Sequence, residues 1–166
     1  MSTLYVDNLE PNLGSRVMAA GHVVQVQQYT TQATTNTTSS SWTATDIGVS
    51  ITPTATSSEI LVIMSGGMHG WAGSNTTYDQ RAGLKIYRQI GSGSFAELET
   101  SSSGQQVQYG RGGEYDPLSI TYLDSPATTD TVTYKVYFRR ENGSLTFSAN
   151  RDGVNQSSAT AMEIAQ

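Results

Sequence analysis

Apolar and polar residues alternate along much of the chain with a period of two. Four segments show the alternation most clearly, at 47–51, 82–86, 118–122 and 132–138. A two-residue period places successive side chains on opposite faces of an extended strand, so each segment predicts a strand with one face on a core and the other turned outward. No window shows a convincing helical period of about 3.6 residues. The pattern therefore predicts an all-β protein.

The segment Glu59–Ser65 differs because its apolar residues run almost without interruption. Such a run is typical of a central strand that is buried on both faces. Asn142-Gly143 predicts a hairpin turn, since both residues tolerate positive φ. Weaker strands are expected at 23–29 and 160–164. About eight strands at this spacing predict an antiparallel two-sheet sandwich that is jelly-roll-like in its connections.

Two segments lie outside the alternation. Residues 30–45 are almost all Thr, Ser, Gln and Asn until Trp42, which suits either a disordered linker or an ordered loop or edge strand. The β-branched threonines favour the ordered alternative, with Trp42 anchoring the tract to the core. Residues 1–20 carry irregularly spaced apolar side chains, which are Leu4, Val6, Leu9 and Leu13. Because exposed apolar groups usually mark contacts, we expect an N-terminal attachment arm at 1–20 and a β-sandwich domain at 21–166.

The composition argues against two classes of partner. Charged residues make up 14% of the chain, and nine Lys and Arg stand against fourteen Asp and Glu, a net charge of −5. Affinity for nucleic acid depends on cations that neutralise phosphates, so we expect no nucleic-acid partner. The longest apolar run, 60–64, is too short to cross a bilayer, and the first residues lack the apolar region of a signal peptide. We therefore expect no membrane insertion.

Some positions on the outward faces of the predicted strands are apolar or aromatic. Leu123 follows the inward Tyr122, and Tyr137 follows the inward Val136. A strand face that meets water is usually polar, so we expect part of the outer surface to meet a partner. The low charge favours a second copy of the chain as that partner, because little repulsion opposes the packing of like subunits.

The remaining residues form no recognisable catalytic, cofactor or metal motif. The chain has no cysteine and only two histidines, His22 and His69, without an H-x-x-H or H-x-E pairing. It lacks a G-x-S-x-G nucleophile motif and a recognisable pair of acids such as a glycan-degrading enzyme needs. Gly91–Ala96 fits a relaxed dinucleotide-binding pattern, but no helix is expected after it, and we interpret it as a hairpin loop. We expect no enzymatic activity, no cofactor and no bound metal.

Four aromatic residues lie in or beside loops rich in Gly, Ser and Asn: Trp71, Tyr78, Tyr109 and Tyr115. Aromatic rings stack on sugar rings, so these residues are candidates for contact with a glycan. Aromatic residues in loops also cap the end of a sandwich or lie at a subunit contact. The second interpretation is favoured.

Five stretches, at both ends and in the middle of the chain, carry a resemblance to known proteins: Leu4–Gly14, Gly21–Val26, Ser50–Val62, Thr121–Thr129 and Ala161–Ile164. Together they resemble small tail-fibre or virion appendage proteins of bacteriophages of marine and cyanobacterial hosts. The resemblance implies a virion structural protein, assembled in the host cytoplasm, that contacts other virion proteins and the host surface. It also implies a homotrimer, since phage fibres and decoration proteins are commonly trimers, although twofold symmetry is the general default. A capsid cement or head-decoration protein is the alternative, and a glycan-degrading enzyme is a weaker one.

Overall fold

The computed structural model describes residues 20–71, 80–98, 104–109, 114–150 and 154–166, and every regular element within these ranges is a β-strand. The strands are β1 (Val23–Thr31), β2 (Thr35–Thr37), β3 (Thr43–Ile51), β4 (Glu59–Trp71), β5 (Gln80–Ile90), β6 (Ala96–Glu97), β7 (Gln105–Tyr109), β8 (Glu114–Asp124), β9 (Val132–Asn142), β10 (Thr146–Ala149) and β11 (Ser157–Ile164). The predicted all-β fold is confirmed. The predicted arm residues Leu4, Val6, Leu9 and Leu13 lie outside the described residues, as does Tyr78.

The strands form two antiparallel sheets. The six-stranded sheet has the order β1-β11-β4-β10-β2, with β8 along the other side of β4. The five-stranded sheet has the order β3-β9-β5-β6, with β7 also paired to β5. Leaving aside the short β2, β6 and β10, the orders β1-β11-β4-β8 and β3-β9-β5-β7 are those of a jelly roll. The predicted two-sheet sandwich and its jelly-roll-like connections are confirmed.

Alternate residues of both sheets meet in one core between them. Along β9, Val132, Tyr134, Val136 and Phe138 are 0% exposed, while most of the residues between them are half-buried. The inward side chains of β4, β5 and β8 complete the same cluster. Removal of this apolar surface from water is the main stabilising term for the sandwich.

β4 is the central strand of its sheet, as predicted, but it is buried on one face only. Its inward residues Ile60, Val62 and Met64 are fully buried, whereas the outward Leu61 and Ile63 are only half-buried. The prediction of burial on both faces is wrong for the single chain. Within the described ranges, no strand packs across the outer side of this sheet.

Asn142-Gly143 forms a turn but does not close a hairpin. The turn carries the chain from β9 in the five-stranded sheet to β10, which pairs with β2 and β4 in the other sheet. Gly143 has φ +89°, which favours glycine. The Oε1 atom of Gln80 accepts hydrogen bonds from the backbone N–H groups of Ser144 at 2.6 Å and Leu145 at 3.1 Å. The hairpin prediction is wrong because the dipeptide specifies a sharp turn and not the sheet that follows it.

The Thr-rich tract is ordered, as predicted. Part of it is β2, an edge strand that pairs with β10. The Thr37 hydroxyl lies 3.1 Å from the Thr43 hydroxyl and accepts a hydrogen bond from the backbone N–H of Ser39. Hydroxyl side chains thus satisfy polar groups within the tract that no regular pairing covers.

One end of the sandwich holds two buried carboxylates. Glu163 on β11 is 0% exposed. Its two oxygens accept hydrogen bonds of 2.7 Å from the Gln25 amide, the Ser58 hydroxyl, and the backbone N–H and hydroxyl of Thr54. Burial alone raises the pKa of Glu163, but these hydrogen bonds outweigh it and hold the pKa below its ordinary value. Glu163 therefore ties the β3–β4 loop to the six-stranded sheet as an ionised group.

The second carboxylate, Asp124 on β8, connects the two sheets. Arg88 of β5 donates from Nη1 to both of its oxygens, at 2.8 Å and 3.0 Å. The hydroxyl of Tyr134 on β9 donates to Oδ2 at 2.8 Å. Burial, followed by this hydrogen bond to an anion, raises the pKa of Tyr134 well above its ordinary value. Tyr134 is therefore a permanent donor to Asp124.

Candidate functional site

The outer face of the six-stranded sheet carries a row of apolar side chains. Val26, Met162, Leu61 and Leu123 are successive cross-strand partners on β1, β11, β4 and β8. All four point away from the core, because they alternate with inward residues such as Val62. Val26 is 52% exposed and Leu123 is 51% exposed. We call these four residues the apolar row.

Between the apolar row and the end of the sheet at Tyr115, the outer face is polar but uncharged, whereas Glu59 lies on the other side of the row. Hydroxyl and amide groups bond across strands, with Ser65 Oγ 2.9 Å from Ser158 Oγ and the Gln28 amide 3.3 Å from the Thr160 hydroxyl. At the far end, the ring of Tyr115 stacks on His69 with centroids 4.3 Å apart. Together with the apolar row, the residues of this face are Gln28, Thr30, Ile63, Ser65, Gly67, His69, Tyr115, Pro117, Ser119, Thr121, Ser158 and Thr160. We call this set the charge-free face, since it contains no Asp, Glu, Lys or Arg.

The charge-free face is the strongest candidate for an interaction surface. Single exposed apolar residues are normal on a protein, but a contiguous apolar patch in a surface free of charge is typical of a contact region. β4 adds a second argument, because its continuous apolar run predicts burial on both faces and the described residues pack against only one. A partner on this face would complete the burial of Leu61 and Ile63.

The outer face of the five-stranded sheet is organised differently. Tyr87 stacks on Tyr137 with centroids 4.0 Å apart, and Phe95 and Trp42 pack at the two sides of this pair. Burial raises the pKa of both tyrosines above their ordinary values. We call Trp42, Tyr87, Phe95 and Tyr137 the aromatic belt.

Two cations lie against the ring of Trp42. The Lys85 ammonium is 5.2 Å from the ring centroid, and the Arg139 guanidinium is 4.4 Å from it. Lys85 is 2% exposed and pairs with Glu97 at 2.8 Å, while Arg139 pairs with Glu141 at 2.6 Å. Lys85 and Arg139 therefore each have an acid and an aromatic ring of the same chain as partners. Trp42 anchors the Thr-rich tract as predicted, but on the outer face of this sheet and not in the core.

The structure brings three of the four predicted glycan-contact residues to one end of the sandwich. Trp71 ends β4, Tyr109 ends β7 and Tyr115 lies near the start of β8. Trp71 and Tyr115 lie on paired strands of the six-stranded sheet, and Tyr109 lies on the five-stranded sheet. Tyr115 is 43% exposed, with one face of its ring against His69.

The sequence indicated two residues of the charge-free face, Leu123 as an outward apolar residue and Tyr115 as a candidate for glycan or subunit contact. The outward position of Leu123 was recognised, whereas Val26, Leu61 and Met162 were missed. Their alignment depends on the register between β1, β11, β4 and β8, which are far apart along the chain. The uninterrupted run in β4 was the available sign that the outer side of this sheet is also apolar.

Two further observations concern metals and membranes. Among the described residues, no group of three His, Cys, Asp or Glu side chains gathers where it could hold a metal ion. In the same part of the chain, no helix has the length and apolar character needed to cross a membrane.

Comparisons with known proteins give only distant structural similarities. No protein-family model and no curated protein matches the sequence. The fold is similar to a chain in the structure of the Gx strain of infectious bursal disease virus, with a TM-score of 0.45 and 10% sequence identity. The match covers 98% of this chain and 36% of that chain, so this chain spans about a third of its length. A similarity at this level identifies no function.

Proposed function

We propose that this chain is a structural protein of a bacteriophage particle, a tail fibre or tail-associated appendage, that assembles with copies of itself through the charge-free face. The observation that carries the proposal is the apolar row, in which Val26 and Leu123 are each about half exposed and which borders the uncharged part of the outer face. The resemblance of the sequence to tail-fibre and virion appendage proteins supports the placement of the chain in a phage particle. The proposed role is architectural and needs no catalytic group.

Self-association would remove the apolar row from water. The remaining hydroxyl and amide groups of the charge-free face would bond across the contact or to trapped water, as in ordinary subunit interfaces. The small number of charges leaves little electrostatic repulsion between copies. The proposed assembly is a trimer, as in phage fibres. The arm at 1–20 would attach the trimer to other virion proteins. The end of the sandwich at Tyr115 would then be turned to the host surface.

Quantitative mass spectrometry of purified particles tests the location. A tail-associated protein is expected at a few tens of copies per particle or fewer, by simple symmetry of tail assemblies. Labelling with an antibody against the chain should place it on the tail in electron micrographs. Hundreds of copies spread over the head would replace the proposal with a capsid cement or decoration protein. Absence from the particle would overturn both.

Sedimentation equilibrium on the purified protein tests self-association. The chain has a mass of 17.8 kDa, and the trimer is expected to form in a concentration-dependent manner by mass action. A monomer that persists at tens of micromolar would contradict self-association. A dimer would contradict the threefold state alone.

A further inference from the structure

The edge strands of the two sheets are protected unequally. An unprotected edge exposes backbone N–H and C=O groups that pair readily with another strand, and proteins block such edges with charges, proline, irregular backbone or short length. β2, β6 and β7 have three, two and five residues. β8 contains Asp116 and Pro117. β3 is irregular between Ala44 and Gly48 and exposes Asp46 there.

β1 has none of these features over most of its length. It has nine residues, Val23–Thr31, without a charge or a proline. Its one irregularity lies at its start, between Val23 and Gln25. Within the described part of the chain its only paired neighbour is β11, so its other edge is unpaired. All side chains from 26 to 30 are exposed.

A groove lies along the middle of β1. It has a volume of about 420 Å³ and separates β1 from β3 and β9. Asp46, Ser50 and Lys135 line its far wall, so the inward side chains Gln27 and Tyr29 of β1 face polar groups there and not a dry core. Tyr29 is 52% exposed as a result. β1 therefore extends past the core with both faces accessible.

We infer that β1 pairs with β1 of a second copy in antiparallel orientation, so that the two six-stranded sheets become one continuous sheet. This contact deepens the self-association of the proposed function and lies next to the apolar row through Val26, which belongs to both surfaces. A segment of identical sequence on each side makes the contact self-complementary, as twofold symmetry requires. A threefold contact on the charge-free face is compatible with it, because dihedral symmetry combines both axes, and the β1 contact would then join two of the proposed trimers into a hexamer.

The open stretch 26–30 sets the register. Its centre is Gln28, so the twofold axis passes beside Gln28, and Val26 of each copy lies opposite Thr30 of the other. Directly opposed residues of antiparallel strands have Cα atoms about 4.5–5.5 Å apart, within the range that a disulfide spans. The chain contains no cysteine, so an introduced cysteine reports on its own position alone.

Disulfide formation tests the pairing. The Gln28→Cys protein should cross-link to itself on mild oxidation at a rate on the order of tenfold or more above that of Gln105→Cys, because pairing raises the local thiol concentration. Gln105 is the matched control, an exposed glutamine at the start of the short β7. A mixture of Val26→Cys and Thr30→Cys proteins should give mainly the mixed dimer. Equal rates for Gln28→Cys and Gln105→Cys would overturn the inference.

Charge exchange at the same position gives an independent test. The Gln28→Lys protein places two like charges opposite each other and should weaken the contact by on the order of fivefold, and the Gln28→Glu protein should do the same. An equimolar mixture of the two should recover the association of the unmodified chain. Failure of the mixture to recover it would overturn the pairing at β1. Because Gln28 also lies on the charge-free face, the two contacts are separated by combining Leu123→Lys with Gln28→Cys, since β8 and β1 are at opposite edges of the sheet. A protein with both changes that still forms the cross-link keeps the β1 pairing without the contact on the charge-free face, and one that loses the cross-link has no β1 pairing of its own.

Discussion

Tyr137 and Leu123 show the same pattern in the sequence, but their side chains differ in how far the chain covers them. Each is an apolar or aromatic residue on the outward face of a strand. Tyr137 is covered by its own chain, stacked on Tyr87 and flanked by Phe95. Leu123 remains 51% exposed, in a row with other apolar side chains.

The difference lies in the charged residues around each position. The five-stranded sheet places Lys85 and Arg139 on the ring of Trp42, and the long stems of such residues cover aromatic surface while their charges are matched nearby. Among the described residues, the charge-free face contains no such cation, and the acid beside the apolar row, Glu59, is bonded to Ser125 and Gln166. An outward apolar residue thus indicates an intermolecular contact only where the chain supplies no cover of its own.

The largest expected effect comes from removing part of the aromatic belt on the outer face of the five-stranded sheet. Replacing Trp42 with alanine removes the half-buried ring that holds Lys85, Arg139 and the Thr-rich tract together. We expect a loss of about 2 kcal/mol in the free energy of unfolding, less than the full cost of a buried tryptophan. Urea denaturation measures it, with Val154→Ala, at a site 65% exposed, as a control that should change stability by less than about 0.5 kcal/mol.

The oligomeric state of the Trp42→Ala protein should stay as in the unmodified chain. A protein that loses self-association without losing stability would show that the aromatic belt, and not the charge-free face, meets the partner.

The next effect concerns the inner side of the six-stranded sheet. Glu163→Gln replaces an ionised group that accepts four hydrogen bonds with an amide that offers one acceptor oxygen. We expect a loss of about 1–2 kcal/mol at neutral pH, since hydrogen bonds to charged groups are the stronger ones. The control Glu59→Gln, at a half-buried surface acid, should change stability by less than about 0.5 kcal/mol.

The pH dependence of this effect has a definite sign. The pKa of Glu163 is lowered in the folded chain, so its contribution is complete above its unfolded value and disappears as the pH falls through the folded value. The stability difference between the unmodified chain and Glu163→Gln should therefore shrink from neutral pH towards about pH 3. A difference that is constant over this range would mean that Glu163 is not held as a carboxylate.

The sequence predicts the interior of this molecule better than its surface. Alternation is a local property of each strand, so the inward residues of β9, such as Tyr134 and Phe138, follow from it directly. The apolar row joins residues about a hundred positions apart, such as Val26 and Leu123, and depends on the register of four strands. Local turn chemistry has the same limit, since Asn142-Gly143 specifies the turn but not the change of sheet.

A direct test of the charge-free face is the replacement of Leu123 with lysine. A cation at the end of the apolar row would have to be desolvated in the contact, which should weaken self-association by about tenfold, or about 1.4 kcal/mol. Thr133→Lys is the matched control on the outer face of the five-stranded sheet, and it should leave association unchanged. Sedimentation equilibrium over a concentration series measures both, with denaturation curves to show that both proteins remain folded. Equal effects at the two positions would remove the distinction between the faces.

The smallest expected effect separates the charge of Arg139 from the packing around it. Arg139→Met keeps a long apolar stem against Trp42 but removes the guanidinium over the ring and the ion pair with Glu141. We expect a loss of about 0.5–1 kcal/mol in stability, the range of one partly exposed cation–π contact, and no change in association. Arg139→Lys should recover part of the loss, because it restores the charge without the planar stacking group. If Arg139→Met instead weakened association more than Leu123→Lys, the partner would have to lie on the five-stranded sheet, and the face that carries the aromatic belt would be the interface.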